Sequence, residues 1–345
     1  MSGFRVELRS DTFSLPDPAM RQTMASAQLG DDVFGEDPTV NALQERVAEL
    51  LGMEDALLMP SGTMSNGVAL RCLASPGETV VCGSRSHVYR YEGGAAAMHG
   101  GLRLHRLDEE EWGAAGLDKV REAFALSRDV HHSHRSVLAL ENTQNVMGGV
   151  VLPPEREDGL LRAARSAGAH AFLDGARLWH AHVAQGIPMK DLASGYDLVT
   201  VCFSKAMGCP VGSVLAGPAD LIEKARWLRK MQGGGMRQAG ILAAACIYAL
   251  DHSLPQLERT HSYASRLARA AQRSPLLSCE ADAVQTNIVI LQTPGRAAHS
   301  VVEAMGEMGI GCLPVGPERI RLVTHLSLSD KDVTYAADTL AVFGG

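Results

Sequence analysis

The chain has 345 residues, of which 46% are hydrophobic and 21% are charged, and its 32 Lys and Arg against 39 Asp and Glu give a formal net charge of -7. This composition is typical of a soluble globular protein and excludes disordered chains, collagen-like repeats and coiled-coil fibres. Because positive charge is not in surplus and no Lys/Arg-rich tract occurs, nucleic acid is excluded as an expected partner.

The seven cysteines show no C-x-x-C pair, and several lie in apolar stretches. That pattern is typical of buried thiols in a reducing compartment. The N-terminal MSGFRVELRSDTFSL carries charges where a signal peptide needs an apolar run, and no stretch approaches the roughly 18 apolar residues of a membrane span. The sequence therefore predicts a cytoplasmic protein with no membrane partner.

The first segment with a clear pattern is DPTVNALQERVAELLG, residues 37–52. Asp37 suits the N-cap, Pro38 suits the first helical position, and Gly52 suits the stop. Apolar residues recur on one face, at positions 40, 43, 47, 50 and 51. The segment is therefore predicted to be an amphipathic helix.

A short apolar run, Ala56–Met59, is followed by the turn PSGTMSN and then by a helical pattern over Val68–Ala74. A strand thus leads into a turn rich in Ser, Gly and Thr at the start of a helix. Because the free backbone N–H groups of a helix start bind anions, this segment predicts an anion site.

Further apolar runs typical of buried strands follow at Thr79–Cys82, Val137–Leu140, Ala171–Leu173 and Leu198–Phe203. Helical segments such as Glu155–Ala167 separate most of them, and their length suits crossover connections. This alternation predicts an α/β fold with a mainly parallel, doubly wound sheet. Several predicted strands are followed by polar or glycine residues, namely Glu141-Asn142, Asp174-Gly175 and Ser204-Lys205. Ligands in such sheets bind at the carboxyl ends of strands, so we expect these pairs to meet in one crevice.

The later part of the chain changes character near residue 250. A glycine triplet with basic neighbours, RKMQGGGMRQAG at 229–240, precedes a predicted buried helix over Ile241–Leu250. Beyond it, the patterns predict a helix over Tyr263–Gln272 and strands over Asn287–Leu291 and Arg319–Thr324. We therefore expect an N-terminal segment (1–15) that contributes to the active site, a large domain (16–250) and a small C-terminal α/β domain (251–345).

Three features together suggest pyridoxal 5′-phosphate (PLP). This cofactor needs a lysine for a Schiff base, an acid beside its ring nitrogen and a cup for its phosphate. Lys205 follows an apolar strand, Asp174 ends another, and the Ser61-Gly62-Thr63 turn precedes both. Taken singly, Lys205 could extend its amine out of a strand end and Asp174 could cap a turn. The order of the three matches a fold type I PLP enzyme.

The chain resembles the L-threonine aldolases of the PLP-dependent β-eliminating lyase superfamily. The resemblance rests on nine blocks that run in the family's order along nearly the whole chain. They are LRSDTFSLP at 8–16, GDDVFGEDPTVNALQERVAELLG at 30–52, PSGTMSN at 60–66, HVYRYEGG at 87–94, ENTQNVMGGVVLP at 141–153, FLDGARLWHA at 172–181, FSKAMGCPVGSVLAG at 203–217, RKMQGGGMRQAG at 229–240 and RLVTH at 321–325.

For the cofactor, the resemblance implies that Lys205 forms the Schiff base and Asp174 pairs with the ring nitrogen. Arg177 would approach the ring oxygen and the substrate carboxylate, and His87 would lie over the ring face. The phosphate would be held by the helix start and by the strand-end serine, that is, by Gly62, Thr63 and Ser204. His87 could instead be a core histidine bonded to a backbone carbonyl.

For the substrate and the assembly, the resemblance implies that Ser10 and Arg321 bind the carboxylate, with Gln144 near the substrate hydroxyl. Arg229, Lys230 and Arg237 would reach a neighbouring subunit, so we expect a homodimer or homotetramer. The alternatives are a surface ion pair for Arg321 and a flexible turn for the glycine triplet. No metal is implied.

The implied reaction is cleavage of the Cα–Cβ bond of L-threonine, L-allo-threonine or a phenylserine-type amino acid to glycine and an aldehyde, in a reversible way. Two residues depart from the family pattern: Gln144 replaces the histidine of ENTHN, and Phe34 replaces the tyrosine of DDVYGEDPT. A glutamine amide orients a hydroxyl but does not take its proton near neutral pH. The base is then His87, a water near the phosphate or another group.

Two alternatives stay open from the sequence. One is a PLP-dependent β-eliminating lyase or retro-aldolase for another β-substituted amino acid. The other is a PLP-binding regulator, for which the chain leaves no room to encode a DNA-binding module. The run HHSH at 131–134 resembles a metal tract but is predicted to be an exposed loop without function.

Overall fold

The computed structural model describes residues 3–110, 112–125 and 130–344. Its strands are β1 (Val6–Glu7), β2 (Asp55–Met59), β3 (Thr79–Gly83), β4 (Arg103–Leu107), β5 (Arg135–Glu141), β6 (His170–Gly175), β7 (Leu198–Cys202), β8 (Ser213–Gly217), β9 (Ile288–Gln292), β10 (Ile310–Gly311), β11 (Leu313–Gly316) and β12 (Arg319–Val323). Its helices are α1 (Pro18–Ala25), α2 (Pro38–Leu51), α3 (Gly62–Leu73), α4 (His87–Arg90), α5 (Ala95–Gly100), α6 (Leu117–Ala125), α7 (Pro154–Ser166), α8 (Leu178–Gln185), α9 (Met189–Leu192), α10 (Ala219–Met231), α11 (Gly240–His252), α12 (Leu257–Ala271), α13 (Ala298–Glu307) and α14 (Asp330–Val342).

A seven-stranded sheet forms the centre of the fold, in the order β2-β8-β7-β6-β5-β3-β4. Strands β4, β3, β5, β6 and β7 run parallel, whereas β8 runs antiparallel to β7 and β2. Every residue of β7 is buried, as expected for a sheet covered by helices on both faces. The predicted mainly parallel, doubly wound sheet is confirmed.

Helix α2 forms as its sequence predicts. The Asp37 carboxylate accepts hydrogen bonds from the N–H groups of Thr39 and Val40, both at 3.1 Å, and Pro38 occupies the first turn. Gly52 adopts a left-handed conformation with a φ of 64°, which glycine reaches without steric cost. The apolar stripe packs against β2 and α11.

Helix α3 begins at Gly62, six residues before the start that apolar periodicity predicts, because its first six residues are polar or glycine except for Met64. The N-cap is Ser61, whose Oγ accepts from the Met64 N–H at 3.2 Å. The first turns of the helix lie beside the ends of β6 and β7, where Asn66 donates a hydrogen bond to Asp174 and Gly62 lies against Cys202, and the anion site stays a prediction.

A second hydrophobic core lies around the three-stranded antiparallel sheet β11-β12-β9, packed by α12, α13 and α14. The N-terminal segment joins this core. Val6 and Leu8 are buried in it, and β1 pairs in parallel with β10. The N-terminal segment thereby passes from the second core to the ends of the large-sheet strands.

Two smaller predictions concern the thiols and the histidine run. All seven cysteines carry free thiols, and six of them are buried. His131 and His132 lie exposed in the loop before β5, as predicted. Among the described residues, no helix combines the length and the apolar character needed to cross a bilayer.

Candidate active site

Polar side chains meet where the parallel strands end. Glu141 and Asp174 are direct partners across β5 and β6. Lys205 lies three residues after the end of β7, and its positive charge contributes to the pKa values of Asp11, His87 and Cys202. Its Nζ forms no hydrogen bond or ion pair with any part of the chain that the structure describes.

Asp174 is only 3% exposed and is held at both oxygens. Its Oδ1 accepts from the Ala176 N–H at 3.1 Å, and its Oδ2 accepts from Asn66 Nδ2 at 2.8 Å. Asn66 lies in the first turns of α3, which face the sheet end. The carboxylate is therefore fixed in direction before any cofactor binds.

Asn66 also links Asp174 to His87. Its Nδ2 donates to Glu92 Oε1 at 2.7 Å, and the same oxygen lies 3.0 Å from His87 Nδ1. His87, Glu92 and Asp174 thus offer donor atoms within 4.8 Å of one another. Hydrogen bonds within the cluster account for this closeness, and they orient the His87 ring.

Burial and charge set the protonation of this cluster. Burial lowers the pKa of His87, but the hydrogen bond to Glu92 and the charge of Asp174 outweigh it, so the pKa lies above its ordinary value. Burial and the charge of Asp174 raise the pKa of Glu92. His87 therefore holds its proton more strongly than an isolated imidazole does.

Glu141 supports the loops on either side of the cluster. Its Oε2 accepts from the His87 N–H at 2.7 Å, and its Oε1 accepts from the Asn145 N–H at 2.9 Å. Burial, followed by the charge of Asp174, raises the pKa of Glu141 to about 7. One carboxylate thus anchors both His87 and the loop that follows β5.

Arg177 lies in a buried bidentate ion pair. Its Nε and Nη2 each donate to an oxygen of Asp11 at 2.7 Å, and its Nη1 donates to Asn145 Oδ1 at 3.3 Å. Side-chain exposure is 6% for Arg177 and 0% for Asp11. The N-terminal segment thus orients the guanidinium that follows β6.

Arg321 approaches the same amide from β12. Its Nη1 donates to Asn145 Oδ1 at 2.8 Å and its Nη2 donates to the Arg9 carbonyl at 3.1 Å, while its Nε is buried without a hydrogen-bond partner. Burial and the charge of Arg177 lower the pKa of Arg321 to about 10. Two guanidiniums therefore share one neutral oxygen, which leaves a positive site that suits a carboxylate.

The remaining predicted ligands differ in surroundings. Ser10 caps the short 3-10 helix that begins at Asp11, where its Oγ accepts from the Thr12 N–H at 3.2 Å. A Cβ at Gly62 would lie 2.8 Å from Cys202 Sγ, so only glycine fits at that helix start. Thr63 and Ser204 are half-buried.

Gln144 is 1% exposed and is bonded within its own loop. Its Oε1 accepts from the Met147 N–H at 3.0 Å, and its Nε2 is buried without a partner. The next residue, Asn145, is the one that contacts both arginines. The role of Gln144 at the substrate hydroxyl stays a prediction.

The basic residues around the glycine triplet divide into two groups. Arg229 is 2% exposed within its own chain, where Nη2 lies 2.8 Å from Asp32 Oδ2 and Nη1 donates to the Leu58 carbonyl at 2.7 Å. Lys230 and Arg237 are exposed, and Arg237 pairs with Asp31 at 3.0 Å. Only the exposed pair is placed to reach another molecule.

Comparison with known proteins decides the family. Residues 7–294 match the beta-eliminating lyase family. The chain is 40% identical over 336 residues to a probable low-specificity L-threonine aldolase 2 of Arabidopsis thaliana, covering 96% of this chain and 94% of that protein. It is also 40% identical over 335 residues to the low specificity L-threonine aldolase of Escherichia coli K12, covering 96% and 97%. The chain belongs to the beta-eliminating lyase family.

Solved structures agree on the architecture of this lyase. A threonine aldolase of Leishmania major superposes with a TM-score of 0.81 at 20% identity, covering 97% of this chain and 98% of that one. A putative aromatic amino acid beta-eliminating lyase/threonine aldolase of Exiguobacterium superposes with a TM-score of 0.82 at 20% identity, covering 98% and 97%. The predicted fold type I class, the family resemblance and the lyase class are confirmed.

Four residues of this lyase site were not singled out from the sequence. They are Asp11, Asn66, Glu92 and Asn145, each within hydrogen-bond distance of a predicted residue. All four lie inside the family-like blocks, one to five positions from a residue that was singled out. A search for polar residues flanking the predicted ones would have found them.

Proposed function

We propose that this lyase cleaves the Cα–Cβ bond of L-β-hydroxy-α-amino acids such as L-threonine and L-allo-threonine to glycine and an aldehyde, and runs the reverse reaction. The observation that carries the proposal is the meeting of Arg177 and Arg321 at Asn145, together with the pairing of Arg177 to Asp11, a carboxylate that lies within electrostatic reach of the unpaired Lys205 amine. A carboxylate pocket next to a free amine is what an amino-acid substrate of a PLP enzyme requires.

The cofactor is PLP, and the residues fit it. Lys205 Nζ has no partner among the described residues, the start of α3 leaves no space for a Cβ at Gly62, and Asp174 is fixed with a carboxylate available for a ring nitrogen. Gly62, Thr63 and Ser204 would hold the phosphate. When bound, PLP supplies an electron-withdrawing ring that stabilises negative charge developing at the substrate Cα.

Asp174 keeps the ring nitrogen protonated in this proposal. A carboxylate that is held at both oxygens does not turn away when a positive group arrives, so its electrostatic effect is preorganised. Asn66 performs that holding from the same helix that binds the phosphate. The helix thus fixes two ends of the cofactor relative to each other.

The two arginines orient the substrate. A carboxylate bound between Arg177 and Arg321 would replace the neutral Asn145 oxygen as their acceptor or share them with it. The Arg177 pair with Asp11 would persist because Asp11 engages Nε and Nη2, which leaves Nη1 for the substrate. Asn145 is therefore a positioning residue for both guanidiniums.

His87 is the base that the geometry favours for the hydroxyl proton. Its Nδ1 is committed to Glu92, so Nε2 is the nitrogen that can accept a proton. Its raised pKa makes it a stronger base than an isolated imidazole. Gln144 would then act on the hydroxyl only through its amide, and a phenylserine-type side chain belongs to the same proposal.

The second candidate is β-elimination or retro-aldol cleavage of another β-substituted amino acid, and membership of the beta-eliminating lyase family supports it. The same residues would serve, because only the bond that breaks differs. The products separate the two: glycine and an aldehyde for the aldolase, or pyruvate and ammonia for an eliminating lyase.

The assembly that we propose is a homodimer or homotetramer in the cytoplasm, in which Lys230 and Arg237 reach the partner's cofactor region. Phe34 and Met231, in the same region of the surface, are 73% and 57% exposed, more than is usual for large apolar side chains. Light scattering should then give a multiple of 36.7 kDa. An active monomer would contradict this assembly. The free buried thiols support a reducing location.

The function is tested with Lys205→Ala and a surface control, Lys119→Ala. We expect Lys205→Ala to fold, to lose the visible absorbance of the PLP-loaded enzyme and to lose turnover of L-threonine, while Lys119→Ala keeps both. Turnover and absorbance that survive in Lys205→Ala would contradict the assignment.

A further inference from the structure

A second polar pocket lies at the N-terminal ends of β3, β4 and β5, opposite the strand ends that form the candidate active site. It has a volume of about 170 Å³ and is lined by basic and hydroxyl side chains, among them Thr79, Arg103, His105, Ser133 and Arg135. The active site is at the other end of these strands. At about 3.3 Å per residue, the five residues of β3 separate the two by about 13 Å.

The strand register brings the basic residues together. Thr79 on β3 pairs with Arg103 on β4 and with Arg135 on β5, so the two arginines flank one threonine across three neighbouring strands. His105 stands two positions after Arg103, and alternation along a strand puts both on the same face. Three nitrogen-rich groups thus face one concave space.

Among the described residues, the two arginine side chains of this pocket have no counter-charge. Within residues 3–110, 112–125 and 130–344, the side chains of Arg103, His105 and Arg135 form no hydrogen bond or ion pair, and no acidic side chain lines the pocket. Arg135 Nε is buried without a partner. Burial and the charge of Arg103 lower the pKa of Arg135, and burial together with both arginines lowers the pKa of His105. The arrangement is electrostatically unfavourable without an anion.

We propose that this pocket is a phosphate-binding site, distinct from the active site, that takes the phosphate group of inorganic phosphate or of a small phosphomonoester. A divalent tetrahedral anion offers several oxygens, so guanidiniums arriving from two strands can each bind it. The Thr79 Oγ1 and Ser133 Oγ pair, 2.8 Å apart, adds hydroxyl groups at the wall. His131 and His132 line the rim, which gives the HHSH run a place in the site.

The binding test uses the PLP-loaded enzyme, so that the cofactor phosphate cup is filled. Inorganic phosphate, glycerol 3-phosphate and sulfate are titrated by calorimetry against wild type, Arg103→Gln, Arg135→Gln and the control Arg106→Ala. Arg106 lies on the same strand, three positions from Arg103, and does not line the pocket. We expect saturable phosphate binding near or below about 1 mM, weakened roughly tenfold or more by each Gln variant and unchanged in the control.

Comparing the titrants identifies the source of the phosphate. Tighter binding of glycerol 3-phosphate indicates a phosphomonoester, and equal binding indicates the inorganic ion. Equal binding of sulfate supports recognition of a tetrahedral dianion. The proposal is overturned if wild type shows no saturable binding, or if binding survives in both Gln variants.

Thermal unfolding provides a readout independent of calorimetry. Without phosphate, Arg103→Gln should melt at or above the wild-type temperature, because a like charge is removed. With phosphate, the wild type should gain stability while both Gln variants gain little. Equal gains in wild type and variants would overturn the site. Since none of these measurements uses turnover, they do not depend on the proposed aldolase activity.

Discussion

We expect Asp11→Asn to destabilise the protein strongly, because it removes one charge from a buried ion pair. Asp11 is fully buried, and Arg177 donates two hydrogen bonds of 2.7 Å to it. In the variant, Arg177 stays buried with a neutral amide in place of its carboxylate. The same change at Asp251, whose side chain is 48% exposed and pairs with Arg46, serves as the control.

The size of the effect follows from burial. Breaking a buried pair by removing one partner costs about 3–5 kcal/mol, and the retained amide oxygen places Asp11→Asn at the lower end, about 3 kcal/mol. An exposed pair contributes about 0–1 kcal/mol. With an unfolding entropy of about 2.1 cal/mol/K per residue, 3 kcal/mol lowers Tm by about 4 °C in a chain of 345 residues.

The pH dependence has a definite sign. Burial raises the pKa of Asp11, but the charge and hydrogen bonds of Arg177 outweigh it and hold the pKa well below its ordinary value. A depressed acid stabilises the fold above its unfolded pKa of about 4, and this contribution is lost as the pH falls further. The difference in Tm between wild type and Asp11→Asn should therefore shrink below about pH 4.

Differential scanning calorimetry at one protein concentration and one scan rate measures all three proteins, each loaded with PLP. We expect Asp11→Asn to melt about 4 °C lower at pH 7 and Asp251→Asn to melt within about 1 °C of wild type. Equal losses in the two variants, or no loss in Asp11→Asn, would refute the reasoning from burial.

Three further changes address the pKa values and the carboxylate pocket. Glu157→Gln should flatten the profile of stability against pH from about pH 4.5 to 7. Burial raises the pKa of Glu157 to about 7, so the wild type loses up to about 3 kcal/mol of stability as the pH rises through that range. Unchanged melting profiles in the variant would contradict this. Glu92→Gln should lower the pKa of His87 and move the acid limb of kcat/KM to lower pH, and a limb that stays in place would exclude His87 as the base. Asn145→Ala should raise KM for L-threonine about tenfold with a smaller change in kcat, and an unchanged KM in steady-state kinetics would remove Asn145 from the carboxylate pocket.

Local chemistry made much of the fold predictable. Asp37, Pro38 and Gly52 act within one helix, so their pattern fixed its ends to within a residue. The fully buried β7 was visible as an apolar run. By contrast, β4 lies at the sheet edge and carries Arg103, His105 and Arg106, so its composition showed neither an apolar run nor a clean alternation.

Some residues of the candidate site could be predicted from their local sequence, and others could not. Lys205 and Asp174 each follow or end an apolar strand, and this local context made them candidates. The pairing of Arg177 with Asp11 could not be predicted from local sequence, because the two residues are 166 positions apart in the chain. Arg229 shows the limit of carrying over a role by resemblance, because its environment in the fold is a buried pair with Asp32.

The central claim is that this lyase breaks a Cα–Cβ bond, and the direct measurement is the product balance from L-threonine. Wild-type enzyme loaded with PLP is incubated with L-threonine, and glycine, acetaldehyde, ammonia and the 2-oxo acid are quantified in one reaction. The account predicts glycine and acetaldehyde in equal amounts, with no ammonia beyond that of the Lys205→Ala control. Ammonia and a 2-oxo acid in place of glycine would contradict it.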